Sequence, residues 1–354
     1  MYYKKWNKAI LNEQLKKLNK LFAENPSYEI GQSIGIIEDL LNNSPRIFIG
    51  ENSFNQQLST DKSIIEENAS FMAAINRFAN HSELLNTKVP SLQEYDIPNN
   101  VLLAFLHDFY NSIDREFARY FNRIYQERKN NLRITNNKGN GYTRNYMYYI
   151  PTLNYAYVNI YKSDTIDDFL NLIHEYAHVV ADQMLYRNQY DSYPFIELLP
   201  LLMQQIASDK ILNYFDIDDE VHKSDAKTAK LFMNYASQIR LQQDFFTTRN
   251  VFTERKQYIT EFAQFANNTK TKTERMLNVS LKEKISYVIP YITMIELYNL
   301  YYEDPEKALY IMKAIIRMKH RDNYYNMLED YGIHLNEHSK EFIQTRKKNI
   351  TDIM

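Results

Sequence analysis

Two histidines four residues apart, His174 and His178, enclose Glu175 in the run Asn171-Leu-Ile-His-Glu-Tyr-Ala-His-Val-Val-Ala-Asp182. On a helix, residues i and i+4 share a face, so both imidazoles can bind one Zn²⁺ while the adjacent carboxylate takes a proton from a zinc-bound water. The chemistry this spacing predicts is metal-assisted hydrolysis. Around the motif, Phe169, Leu170, Leu172, Ile173, Ala177, Val179, Val180 and Ala181 are apolar, whereas Asp167, Asn171, His174, His178 and Asp182 fall at near-helical spacing into one polar stripe. Burying such a stripe unpaired is unfavourable by several kcal/mol, so water or a cation must face it.

A catalytic zinc keeps three protein ligands and one open position. The third ligand expected here is Glu197, a lone carboxylate in the apolar run Pro194-Phe-Ile-Glu-Leu-Leu-Pro200, nineteen positions after His178. That interval lets one helix end, a loop turn and a second helix pack back on the first; the bland alternative is a carboxylate on a solvated helix edge. His222, His320, His334 and His338 stand in charged surroundings and read as surface residues, and none has the short spacing of a metzincin's third histidine. His107 sits on an apolar face and reads as a hydrogen-bonded structural histidine. Asp182, one turn after His178, either orients an imidazole or is an ordinary helix-surface carboxylate.

The elements that must position these groups follow from pattern. Thr165-Ile-Asp-Asp168 matches a capping box, with Thr165 at the N-cap and Asp168 at N3, and the zinc helix it opens extends to about Tyr186; a second helix opens near Pro194. Upstream, 132–135 and 142–161 are rich in Tyr, Ile, Val and Thr around a Gly-Asn loop, which predicts a small β-sheet. Tyr155 to Tyr161 alternates and is the last strand before the zinc helix, and Pro151 argues for an edge, where free backbone groups can receive an extended peptide. Residues 4–23 and 28–43 read as a helical hairpin, and 46–50 as a short strand. Ser59-Thr-Asp61 reads as the cap of a helix to about Asn80, 89–100 as a loop and 101–128 as one long helix. Residues 219–267 are helical with Leu231, Phe232, Tyr235 and Ile239 on the apolar face, 270–281 a polar loop, and 282–346 two or three helices broken at Glu303-Asp-Pro305 and Tyr331-Gly332.

With 44% hydrophobic residues in 354, the chain can bury a sizeable core, and only six glycines and nine prolines favour long helices over turn-rich β architecture. The expected class is mainly α with a small β-sheet beside the zinc helix. It is organised as an N-terminal helical part (1–130) and a catalytic part (131–354) in one compact domain with a cleft. A formal charge of −2 gives no electrostatic preference for nucleic acid. The absence of cysteine excludes disulfides and thiolate metal sites and suits a reducing cytoplasm. Neither a secretory h-region nor a run long enough to span a bilayer is present, so no membrane partner is expected. Oligomeric state stays open.

The order of features resembles the oligopeptidase group of gluzincins that includes thimet oligopeptidase and oligopeptidase F. The segments that carry the likeness are Tyr157-Val-Asn-Ile-Tyr161, Thr165-Ile-Asp-Asp168, His174-Glu-x-x-His178 and Phe195-Ile-Glu197, with Ser286-Tyr287 and Leu297-Tyr-Asn-Leu-Tyr301 further on, over about 140–335. The resemblance implies a zincin-like helical fold with a deep cleft, a single zinc and cleavage of short peptides. It makes His174, His178 and Glu197 ligands, Glu175 the base and Tyr287 a hydrogen-bond donor to the oxyanion, with Tyr291 the nearest substitute. The chain departs from the family pattern at Ala177, Gln204, Ser280 and Pro290, and it is short before the sheet. Those departures keep a second reading open, a zinc-containing peptide-binding protein of the same fold with weak or no catalysis.

Overall fold

The computed structural model describes residues 8–41, 54–136, 145–150, 152–185, 195–248, 255–318 and 324–354. In chain order the described elements are α1 (Lys8–Glu24), α2 (Tyr28–Leu41), α3 (Phe54–Glu67), α4 (Ala69–Ala79), α5 (Asn99–Ile113), α6 (Arg115–Tyr125), α7 (Arg128–Asn131), β1 (Leu132–Asn136), β2 (Tyr146–Ile150) and β3 (Tyr155–Lys162). They continue as α8 (Asp167–Met184), α9 (Leu198–Tyr214), α10 (Asp218–Thr248), α11 (Arg255–Phe265), α12 (Lys270–Leu277), α13 (Leu281–Glu303), α14 (Pro305–Ile316), α15 (Tyr324–Asp330) and α16 (Ser339–Ile353). The fold is mainly α with one small sheet, as the scarcity of glycine and proline implies. Among the described residues no helix is long and apolar enough to cross a membrane.

The chain divides into two compact units. The first comprises Met1–Phe48, Leu92–Tyr190 and Met203–Glu220, and the second Ile49–Ser91, Asp191–Leu202 and Val221–Met354. In the first unit α1 and α2 form the expected hairpin. Pro26 ends the first helix, and the Ser27 hydroxyl accepts from the Ile30 amide at 3.3 Å to open the second. Leu11, Leu18, Ile30, Ile37 and Leu40 then bury together with Ile150 and Tyr157 of the sheet.

The sheet order is β1-β3-β2, with β1 parallel and β2 antiparallel to β3. Tyr155–Lys162 is therefore the central strand. Its residues are buried on both faces instead of alternating, and its amides and carbonyls are committed on both sides, Val158 facing both Leu132 and Met147. The expectation of an edge strand at 155–161 is corrected: among the described residues the outer edges belong to β1 and β2. Pro151, Pro194, the 46–50 strand and the Gly-Asn loop from 137 lie outside the described residues.

The single helix expected over 101–128 is two, α5 and α6, with the short α7 beginning at its end. Asp114 is extended at φ −158° and its carboxylate accepts from the amides of Glu116 and Phe117 at 2.9 and 3.0 Å, so it ends α5 and caps α6. His107 consequently lies on the exposed face of α5 beside Asp108, not in a core. In the second unit Ser59-Thr-Asp61 lies inside α3 instead of capping it, and 270–281 is not a loop, because Thr269 caps α12 by accepting from the Lys272 amide. Leu231 is exposed on α10, while Phe232 and Ile239 are buried. The breaks at Asp304 and Gly332 stand where expected, but four helices instead of two or three follow residue 280, and α13 runs through the buried Pro290.

Candidate metal centre

Helix α8 enters the core immediately after β3 through a tight turn. Asp164 adopts the left-handed region at φ 57°, and the buried Asp168 carboxylate reaches back to the Ser163 amide at 2.7 Å, its hydroxyl at 2.9 Å and the Asp164 amide at 2.9 Å. Thr165 accepts from the Asp167 amide at 3.3 Å, so the capping chemistry uses both predicted residues but the regular helix starts two residues later than expected, at Asp167. The body of α8 is fixed by Tyr110, whose hydroxyl donates to the Ile173 carbonyl at 2.8 Å, and by Gln183, which donates to the Tyr120 carbonyl at 3.0 Å. Phe121 stacks on Tyr110 at 4.6 Å and meets Tyr176 edge-on at 5.4 Å.

Burial along α8 reproduces the two faces read from the sequence. Asp168, Phe169, Leu170, Leu172, Ile173, Tyr176, Ala177, Val179 and Val180 are buried, whereas Asp167, Asn171, His174, His178 and Asp182 remain half-buried. The His174 and His178 rings lie 5.0 Å apart and 78° to each other. Glu175 is buried beside them at 7% exposure, so its carboxylate works in a poorly solvated setting. The Asp182 carboxyl is pushed up to about 6 by burial, with His178 opposing that rise.

Glu197 closes a 3-10 turn, Phe195–Glu197, that runs straight into α9. Phe195 anchors the turn, its ring 5.8 Å from Phe71 and 4.5 Å from Tyr324. Two turns further along α9, Gln204 places its amide oxygen 3.2 Å from His174 Nδ1. With Nδ1–H donating to that oxygen, the lone pair is on Nε2, the tautomer a metal requires. His174, His178 and Glu197 each offer a donor atom, and the three lie within 4.8 Å of one another. Two imidazoles and one carboxylate form a donor set that suits zinc. Gln204 was visible in the sequence only as a departure from the family pattern.

The remaining predicted residues belong to the second unit. Tyr287, on α13, is half-buried and stacks on Phe232 at 5.8 Å. Tyr291 is a core residue at 1% exposure, packed on Phe78 and Phe232, and burial raises its hydroxyl pKa well above the ordinary range. Ser280 caps α13, accepting from the Glu283 amide at 3.1 Å. His334 is exposed beside Glu329, but His338 is not a simple surface residue: its Nδ1 meets the buried Glu296 carboxylate at 2.7 Å and its Nε2 faces the Asn299 amide at 3.2 Å. Glu296, Glu337 and His338 also bring donor atoms within 4.8 Å of one another, but the Glu296 carboxylate accepts from the His338 backbone amide at 3.2 Å, as a cap for α16 does. His320 lies outside the described residues.

No family model matches the sequence, and no curated protein matches it. Among solved structures, PZ peptidase A with an inhibitor superposes with a TM-score of 0.55 at 9% identity, over 97% of this chain and 67% of that one. The helical fold of the chain is similar to that of this peptidase structure. A structure assigned to oligoendopeptidase F gives 0.55 at 10% identity over 98% of this chain and 67% of that one. One from Bacillus anthracis with the same assignment gives 0.50 at 12%, over 95% and 64%. The chain thus spans about two thirds of the length of the oligoendopeptidase-like chains it resembles.

Proposed function

We propose that the chain is a zinc-dependent metallopeptidase that hydrolyses peptide bonds in short peptides. The observation that carries the reading is the convergence of His174, His178 and Glu197 donor atoms within 4.8 Å, with Glu175 on the same helix. The likeness of fold to the peptidases supports it. When bound, zinc supplies a Lewis acid for the scissile carbonyl. Gln204 holds His174 in the tautomer that leaves Nε2 basic. Glu175 takes the proton of the attacking water and delivers it to the leaving amine. Tyr287 donates to the developing oxyanion. An extended peptide adds to the outer edge of β2, since β3 is paired on both sides. The setting is the cytoplasm, in keeping with a chain that has no cysteine.

Elemental analysis of the purified protein, combined with cleavage of quenched peptides before and after chelation, tests the proposal. The expected result is about one zinc per chain and cleavage abolished by chelator and restored by zinc. Glu175→Gln should keep the metal and lose about three orders of magnitude in turnover; substantial residual turnover in that variant sinks the mechanism. A second reading, a peptide-binding protein of the same fold with little catalysis, is favoured by Ser280, which serves as a helix cap where the family places a substrate-binding side chain. Saturable peptide binding by the zinc-loaded protein without any cleavage selects that reading.

A further inference from the structure

A groove of about 470 Å³ runs along the first unit between α5 and the C-terminal end of α9. Val101, Ala104, Phe105, Asp108 and Ser112 line it at helical spacing from one face of α5, and Lys210 and Tyr214 face them from α9. Its volume is that of a small-molecule site. The floor is aromatic: the Phe105 ring lies 6.5 Å from Tyr214 and 6.3 Å from Phe215, and is held from below by Phe169 at 5.2 Å. Tyr214, the last residue of α9, is 73% exposed.

Two opposite charges stand at one side of this floor. Among the described residues the Lys210 ammonium pairs with the Ser112 hydroxyl and lies 5.5 Å from the Phe109 ring, with no carboxylate partner. Partial burial lowers its pKa, so a charged partner there is rewarded. Asp108 is one turn before Ser112 on the same face and gives one oxygen to His107 at 3.3 Å. The exposed Asp108 carboxylate and the Lys210 ammonium both line the groove, so an α-amino acid can meet them with its carboxylate on Lys210 and its ammonium on Asp108. The side chain then lies over Phe105, Tyr214 and Phe215.

We infer that this groove binds a free α-amino acid with a large apolar side chain. The inference is independent of the metal centre. Calorimetric titration with L-phenylalanine tests it, using the full chain and the Lys210→Met and Asp108→Asn variants, with folding checked by circular dichroism. Saturable binding is expected, weakened about tenfold or more by each substitution. N-acetyl-L-phenylalanine, which lacks the ammonium, and L-phenylalaninamide, which lacks the carboxylate, should each bind at least about tenfold more weakly than the zwitterion. Absence of saturation, equal binding of either analogue, or unchanged affinity in both variants overturns the assignment.

Discussion

His174 Nδ1 and Gln204 Oε1 are 3.2 Å apart, a neutral amide beside a histidine of the polar stripe of α8. A carboxylate in that place would make the imidazole a stronger donor. Gln204→Glu should therefore bind zinc about tenfold more tightly, and Gln204→Leu, which frees the ring, should bind it about 10- to 100-fold more weakly. Competition against a chromophoric chelator measures both without reference to catalysis. Equal zinc affinity in all three proteins removes Gln204 from the site.

The entry to α8 depends on Asp168. Its buried carboxylate satisfies three donors, and it sits at the helix N-terminus, where a negative charge is favoured. Asp168→Ala strands those donors and should destabilise the fold by about 3 kcal/mol. Urea denaturation checks this, and a change below about 0.5 kcal/mol would show that water replaces the carboxylate.

Tyr287 and Tyr291 are separated by one turn of α13 but stand in different settings, one half-buried and one in the core. If Tyr287 donates to the oxyanion, Tyr287→Phe should lower kcat by about 10- to 1000-fold with little change in KM. Tyr291→Phe should leave kcat within about twofold and act on stability alone. Steady-state kinetics of the two variants decides between them; a larger kcat loss in Tyr291→Phe reverses the assignment.

Helix α8 was legible because its polar stripe and apolar flanks repeat at the helical period, a local property of the chain. Glu197 could be nominated because a lone carboxylate in an apolar run is rare. What failed depended on distant partners. The central place of β3 comes from parallel pairing with β1, more than twenty residues earlier, and pairing across such an interval leaves no local mark. Asp114 and Asp61 show a different limit. Both are acidic residues in amphipathic stretches, yet one breaks a helix by capping the next, whereas the other lies inside a helix near a buried lysine. Gln204 stands out in the sequence only as a departure from the family pattern, and only the folded geometry shows the hydrogen bond that it makes.

Asp61 and Lys284 supply a pH dependence whose sign can be worked out. Both are buried, and Lys284 also donates to the Met276 carbonyl at 2.9 Å. Burial pushes Asp61 up from 3.8 to about 6, against the pull of Lys284. The folded protein therefore holds this proton more tightly than the unfolded chain, and stability falls as pH rises from 3.8 towards about 6. Burial lowers Lys284 from 10.5 to about 8, so stability rises again as pH goes from about 8 to 10.5. The pair's contribution is thus least favourable between about 6 and 8. Lys284→Met alone should destabilise the protein at neutral pH by about 3 kcal/mol, because it leaves a buried carboxylate without its cation. Asp61→Leu combined with Lys284→Met should be at least as stable as the parent and lose both pH slopes. Urea unfolding at pH 4.5, 7 and 9.5 measures this (values chosen at about the middle of each window). A double variant that keeps the acid-side slope assigns it to another group.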